Sequence, residues 1–170
     1  MASSKRRYFY WDSNVFLAFV NKESSRFGII ESLWEEITQE NGSKIAKSTV
    51  TIVEVAAAVQ ERTQKQLDAQ TEQKIDSMWQ DPTVLLVDSP EVVMRIARKL
   101  IRDALPKGWK LHPNDAIHLA TAMWVDQSVH RITEFITYDD KLMKFDTMTG
   151  LAICKPNIAQ PRLLNSGTVA

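Results

Sequence analysis

Short apolar runs alternate with longer stretches of helical periodicity along this chain. Tyr8-Phe9-Tyr10-Trp11, aromatic throughout, predicts a buried strand, and the spacing of Val15, Phe16, Phe19 and Val20 predicts a short helix directly after it. From Arg26 to Asn41, Phe27, Ile30, Leu33, Trp34 and Ile37 recur at helical spacing with Glu31, Glu35, Glu36 and Glu40 between them, and Gly42 supplies the stop. Residues 44–48 predict a weak second strand. A helix is then expected from about Thr49, with Val50, Val53, Ala57 and Val59 apolar and Glu54 among them. Residues 60–76 are polar and lack Gly and Pro, which predicts a turn within a helical hairpin, and Ile75, Met78 and Trp79 bring the chain back to the core.

Asp81-Pro82 closes that segment, and Thr83 to Val87 predicts a buried strand. Ser89-Pro90-Glu91 is a strong helix start, and the helix it opens carries Val93, Ile96, Ala97, Leu100, Ile101 and Ala104 on its apolar side. Pro106-Lys107-Gly108 ends it. A helix from about Asn114 to Gln127, a strand from Glu134 to Tyr138, a short helix from Asp139 to Phe145 and a last strand from Leu151 to Cys154 complete the series. Strand and helix alternate about five times without a hairpin signal, which favours a parallel sheet covered on both faces. One domain is expected over residues 1–156, with a flexible tail over 157–170 that contains Pro161 and Gly167.

Composition narrows the function classes. The 21 basic and 21 acidic residues balance, so net charge gives no argument for a polyanion partner, and any nucleic-acid surface must be local. A single cysteine, Cys154, excludes an internal disulfide and a CxxC zinc site. The N-terminal Lys5-Arg6-Arg7 precedes an apolar run, but Asp12 and Asn14 interrupt it. No stretch reaches the roughly 18 apolar residues of a membrane span. A cytoplasmic protein is expected.

Four acids stand where an acid is costly. Asp12 ends the first strand, Glu54 lies in the apolar run from Val50 to Ala58, Asp115 opens the small and apolar helix from 115 to 122, and Asp139 follows a strand. Each also has a purely structural use: Asp12 and Asp139 as helix caps, Thr51-x-x-Glu54 as a capping box, Asp115 in a first helical turn. Taken together, two acids end strands and two begin helices, which places all four at one edge of a parallel sheet. Their mutual repulsion calls for a cation, and hard divalent ions such as Mg²⁺ and Mn²⁺ suit carboxylate oxygens.

The sequence resembles PIN-domain ribonucleases, in particular VapC-like toxins of toxin–antitoxin pairs. The likeness rests on Asp12-Ser13-Asn14, Thr51-x-x-Glu54, Asp115-Ala116-x-His118-Leu119-Ala120-Thr121-Ala122, Thr137-x-Asp139 and Gly150-Leu151, in order over residues 8–156. It implies a three-layer α/β fold with a five-stranded parallel sheet of order 3-2-1-4-5, Mg²⁺ or Mn²⁺ as cofactor, and endonucleolytic cleavage of RNA. By the same likeness Asp12 and Asp115 are the main metal ligands, Glu54 and Asp139 complete the pocket, and Ser13, Asn14 and Thr137 support them. Asp140, beside Asp139, leaves the fourth acid ambiguous, and the Thr-x-Asp spacing favours Asp139. An antitoxin protein and a second copy of the chain are the expected partners. The dimer is expected through Trp34, Trp79 and the helical hairpin at 50–80.

His118, one turn after Asp115, is expected either to support the pocket or to be a core histidine with a local hydrogen bond. Arg95, Arg98, Lys99 and Arg102 share one side of their helix and are candidate RNA contacts or a solvated face. No glycine-rich phosphate loop and no Gly-x-Ser-x-Gly elbow occurs. The competing reading from a different class is a non-catalytic, receiver-like module that binds Mg²⁺ at its strand ends.

Overall fold

The computed structural model describes residues 6–40 and 42–157. In chain order the elements are β1 (Tyr8–Trp11), α1 (Ser13–Val20), α2 (Phe27–Gln39), β2 (Lys44–Ser48), α3 (Val50–Glu54), α4 (Val59–Gln64), α5 (Ala69–Gln80), β3 (Val84–Val87) and α6 (Glu91–Ala104). After a 3-10 turn at Leu105–Lys107 come α7 (Pro113–Ser128), β4 (Ile132–Ile136), a 3-10 helix at Asp140–Phe145, α8 (Asp146–Thr149) and β5 (Ile153–Cys154). The strands form one parallel sheet in the order β3-β2-β1-β4-β5, as the resemblance implied. β1 is central because it is apolar on both faces, as a strand covered on both sides must be.

Alternation along the strands divides the core in two. Tyr10, Ala46 and Phe135 face α6 and α7, where Val93, Ala97, Ala116, Leu119 and Ala120 cover them. Phe9, Trp11, Ile45 and Ile136 face the other way, against α1, α2 and α5, where Phe16, Ile30, Leu33, Ile37, Ile75 and Met78 close the layer. The small residues of α7 let that helix lie close to the sheet, and this brings its first turn to the carboxyl ends of β1 and β2.

Several expectations are corrected. The apolar run after Thr49 is not one helix: α3 stops at Glu54, and Val55 leaves the helical region at φ −101°, ψ 35°. A run of β-branched residues is a weak helix former, and the break turns Val55 and Ala58 into the core while Val53 stays exposed. The break is held by the buried Glu61, whose carboxylate accepts from the backbone N–H of Ala58 at 2.9 Å and of Asp68 at 2.8 Å. The fourth strand begins two residues earlier than expected, so Thr137 and Asp139 lie just beyond its end. The last strand is shortened to two residues. Arg7, given no role from sequence, binds Glu36 and Glu40 and lies over Phe9, 5.0 Å from the ring centroid. From residue 158 onward the expected tail lies outside the described residues. Among those residues no helix is long and apolar enough to cross a membrane.

Candidate active site

Asp12 follows the end of β1, and its backbone N–H continues the ladder to Ile136 at 3.0 Å. The side chain is only 5% exposed. One carboxylate oxygen accepts from the N–H of Ser13 at 2.8 Å, which also caps α1, and the other accepts from Asn14 Nδ2 and Thr137 Oγ1, each at 2.7 Å. Asp12 therefore caps α1 and at the same time is bonded to the polar residues beyond the end of β4. Asn14 ties the two strand ends together: its amide also donates to Thr137 Oγ1 at 2.9 Å, and its Oδ1 accepts from the N–H of Tyr138 at 3.0 Å. The N–H of Asp139 donates to Thr137 Oγ1 at 3.0 Å, so Thr137 joins Asp12 to Asp139.

Glu54 is not used in a capping box. Its Oε2 accepts from His118 Nε2 at 2.7 Å and from the Ser13 hydroxyl, and its Oε1 accepts from Asn114 Nδ2 at 2.9 Å. His118 is buried, 1% exposed, and its Nδ1 meets the Tyr10 hydroxyl at 2.9 Å. That hydroxyl oxygen already accepts from the N–H of Ser48 at 3.0 Å, so in the neutral ring its proton goes to Nδ1 and Nε2–H points at Glu54. The two expectations for His118 are thus both met: it is a core histidine with a local hydrogen bond, and its other nitrogen faces the pocket. Asp115 sits half-buried in the first turn of α7, where the helix dipole favours its charge.

The electrostatics show which acids face one another. Burial pushes Asp12 above the ordinary carboxylate range, against the opposing pull of His118 and its hydrogen bonds. Asp115 is raised by burial and then by the charges of Asp12 and Asp139. Burial alone would raise Glu54, but its hydrogen bonds from His118 and Ser13 hold it below that range. Burial would lower His118, and the hydrogen bond to Glu54 with the charges of Asp12 and Glu54 reverses this, leaving it raised. Asp139 also caps the next turn by accepting from the N–H of Lys141 at 2.8 Å, whereas Asp140 pairs with Lys155 at 2.7 Å. The acid coupled to Asp115 is therefore Asp139.

These residues suit a hard divalent cation. Among the described residues no lysine or arginine lies within 4.0 Å of the carboxylates of Asp12, Glu54, Asp115 or Asp139, and the basic groups that act on them are the imidazoles of His118 and, for Asp115, His112. Among those residues no three His, Cys, Asp or Glu side chains are gathered closely enough to hold a metal ion by themselves. Mutual repulsion and the hydrogen bonds to Ser13, Thr137 and Lys141 hold the carboxylates apart. An open acidic pocket of this kind fits Mg²⁺ or Mn²⁺, since Mg²⁺ keeps several of its waters. Sequence reasoning missed Tyr10 and Asn114, and it read Thr51 only as part of Thr51-x-x-Glu54, whereas its Oγ1 accepts from the Ser13 hydroxyl at 3.2 Å. Tyr10 had a usable signal, because strand alternation points it to the same side as α7.

The basic side of α6 is partly paired along its own helix. Arg95 donates to Glu91 at 2.6 and 2.8 Å and Lys99 pairs with Asp103, while Arg98 and Arg102 are exposed with no acid within 4.0 Å among the described residues. Trp34 and Trp79, expected at a dimer surface, are half-buried. Trp34 packs on Trp11, Phe16 and Phe19, and Trp79 packs on Phe16.

A family model described as PIN domain matches residues 9–147. The fold is similar to VapBC2 from Rickettsia felis bound to a DNA fragment from its promoter, with TM-score 0.60 and 17% identity over 88% of this chain and 99% of that one. It is also similar to DNA-bound VapBC from Salmonella typhimurium, with TM-score 0.59 and 13% identity over 90% and 100% of the two chains. A toxin–antitoxin complex from Klebsiella pneumoniae gives TM-score 0.54 and 20% identity over 89% and 99%. No curated protein matches the chain.

Proposed function

The chain belongs to the PIN-domain family, and on that premise we propose that it is a divalent-metal-dependent endoribonuclease, the toxin of a toxin–antitoxin pair. The observation that carries this reading is the closeness of Asp12 and Asp139, just beyond two strand ends, to Asp115 in the first turn of α7, with no lysine or arginine within 4.0 Å of their carboxylates among the described residues. A receiver-like module has less support, because its site needs a paired acidic cluster at the first strand, and here Asp12 is preceded by the aromatics Tyr8 to Trp11.

In this reading Asp12 and Asp115 hold the metal, with Glu54 and Asp139 completing the pocket directly or through water. When bound, Mg²⁺ or Mn²⁺ supplies a water of lowered pKa and neutralises charge on the scissile phosphate. The chain's own groups fix the ligands. Ser13 N–H, Asn14 and Thr137 hold Asp12 in one orientation, and His118 and Ser13 hold Glu54. Glu54 stays ionised at neutral pH, which suits it to binding a cation or orienting water and not to donating a proton.

The toxin assignment rests on the fold shared with toxin–antitoxin complexes, and an antitoxin protein is the proposed partner. For a second copy of the chain, the hairpin offers Ile52, Val53 and Val59, which are 41%, 77% and 58% exposed, in place of the tryptophans. Light scattering at tens of micromolar that shows only monomer would remove the dimer.

Incubation with RNA tests the activity. Cleavage is expected with Mg²⁺ or Mn²⁺, and EDTA should abolish it. Asp12→Asn and Asp115→Asn should each lower the rate on the order of 10³-fold, about 4 kcal/mol of barrier. Cleavage that survives chelation, or that either substitution leaves unchanged, rejects the assignment.

A further inference from the structure

Two segments leave the acidic pocket and meet again outside it. Asp139 leads into the 3-10 helix Asp140–Phe145, which carries Lys141 and Lys144, and the link before Asp115 carries Lys107, Trp109, Lys110 and His112. They join at Trp109. Its ring packs edge-on against Phe145, with centroids 5.4 Å apart, and the ammonium groups of Lys107 and Lys144 each lie 5.4 Å from its centroid. Phe145 is fully buried, so the aromatic is anchored from beneath, while Trp109 itself is only half-buried. Gly108, at φ +67°, ends the 3-10 turn in a conformation that favours glycine, and the N–H of Trp109 then donates to the carbonyl of Ala104 at 3.1 Å. The ring is therefore held by backbone geometry at its base and by packing on its edge.

The charge around it is uncompensated. Lys107, Lys110, Lys141 and Lys144 are exposed, and among the described residues none has an acid within 4.0 Å. On α6, by contrast, Arg95 and Lys99 are paired along their own helix. An anchored, partly exposed indole among unpaired lysines is what single-stranded nucleic acid needs: a stacking surface for a base and cations for the phosphates beside it. Trp109 lies six residues before Asp115, within about 20 Å of it along an extended chain.

We infer that Trp109, with Lys107 and Lys144, forms a binding platform for single-stranded RNA, on which one base stacks while the strand runs on into the carboxylate pocket. The inference rests on the ribonuclease reading for the identity of the ligand. It moves the RNA contact from the basic side of α6 to the two segments that carry Asp115 and Asp139.

The test is equilibrium binding of a fluorescent single-stranded oligouridine to the whole protein in EDTA, followed over a salt series, alongside cleavage in Mg²⁺. Trp109→Ala should weaken binding about ten-fold or more and Trp109→Phe should retain most of it, since the loss of one stacked base is read. Lys107→Ala with Lys144→Ala should reduce the slope of log affinity against log salt by about 1.4, the value for two phosphates on a single strand. Thermal melting checks that the variants fold, and the conservative Trp109→Phe keeps the comparison interpretable if Trp109→Ala does not.

Unchanged affinity and salt slope in the variants, with RNA cleavage intact, overturns the platform and leaves the nuclease standing. Binding that depends on Trp109 without cleavage in any divalent metal keeps the platform and overturns the nuclease. Tighter binding of duplex RNA than of the single strand overturns the platform, as does the absence of RNA binding by the unaltered protein.

Discussion

On the α7 side of the sheet, the buried polar groups Tyr10, Ser13, Thr137 and His118 are all hydrogen-bonded, and the bonds run from the N–H of Ser48 through Tyr10 and His118 to Glu54. On the α5 side, Lys47 is fully buried with no hydrogen-bond partner among the described residues, its amine 2.7 Å from the centroid of Trp79 and 4.4 Å from that of Phe16. Lys47 and Ser48, where the two sets begin, are neighbours on β2, one residue apart in phase. The difference shows what polar burial is for in each place. A satisfied set fixes the direction of every member and so can aim a carboxylate. An isolated amine aims nothing, and its burial costs stability unless it gives up its proton.

The largest expected effect breaks the comparison at its weak side. Burial pushes Lys47 from 10.5 down to about 6. Between those values the folded protein holds fewer protons than the unfolded chain, so stability rises with pH across the window and is flat below its lower end. At pH 7.5 the cost of discharging the amine is about 4 kcal/mol, at 1.36 kcal/mol per pKa unit. Lys47→Met should therefore stabilise by about 2–4 kcal/mol near neutral pH, raise Tm by roughly 5–15 °C, and leave RNA cleavage unchanged. Denaturant melts between pH 6 and 9 measure it. Equal stability of variant and parent, with no pH slope in the parent, would show that the amine already has a partner.

The second effect acts on the satisfied side. His118→Asn is too short to reach Tyr10 and Glu54 together, so at least one buried partner loses its hydrogen bond. That should destabilise by about 1–3 kcal/mol. Because Glu54 would lose a group that orients it, cleavage should also fall roughly 10–100-fold. A loss of stability with full activity would make His118 a core residue alone, and the contrast between the two faces would lose its functional half.

How much of this was legible in the sequence follows from the same chemistry. The sheet and its four acids could be read because an acid directly after an apolar strand, or in the first turn of an apolar helix, is conspicuous. Asp12, Asp115 and Asp139 then meet through topology, as the electrostatics show. The break at Val55 was not legible, because it depends on Glu61 reaching back to the N–H of Ala58. Lys47 was hidden by the ordinary preference of lysine for solvent, which made residues 44–48, with two lysines, look like a weak strand. Lys44 obeys that preference and donates to the carbonyl of Pro82 at 2.5 Å. The packing of Trp34 on Trp11 and of Trp79 on Phe16 was not legible, because amphipathic helices at the rim of a layer show aromatic residues without showing which side faces the sheet.

The smallest effect separates orientation from mere packing. Tyr10→Phe keeps the ring, and therefore keeps its stacking on Phe135 at 4.9 Å, while removing only the hydroxyl. Two partners lose a bond at once, the N–H of Ser48 and His118 Nδ1. The expected cost is about 1 kcal/mol, because a phenylalanine needs no partner of its own and the imidazole can redistribute its proton. With Nδ1 unpaired, the neutral ring no longer favours the tautomer that points Nε2–H at Glu54, so the kcat for RNA cleavage should fall a few-fold with KM held. Nitrogen chemical shifts of His118 at neutral pH would show the mixed tautomers directly. If the shifts and kcat both match the parent protein, Glu54 alone orients the imidazole, and the chain from Ser48 through Tyr10 is packing without direction.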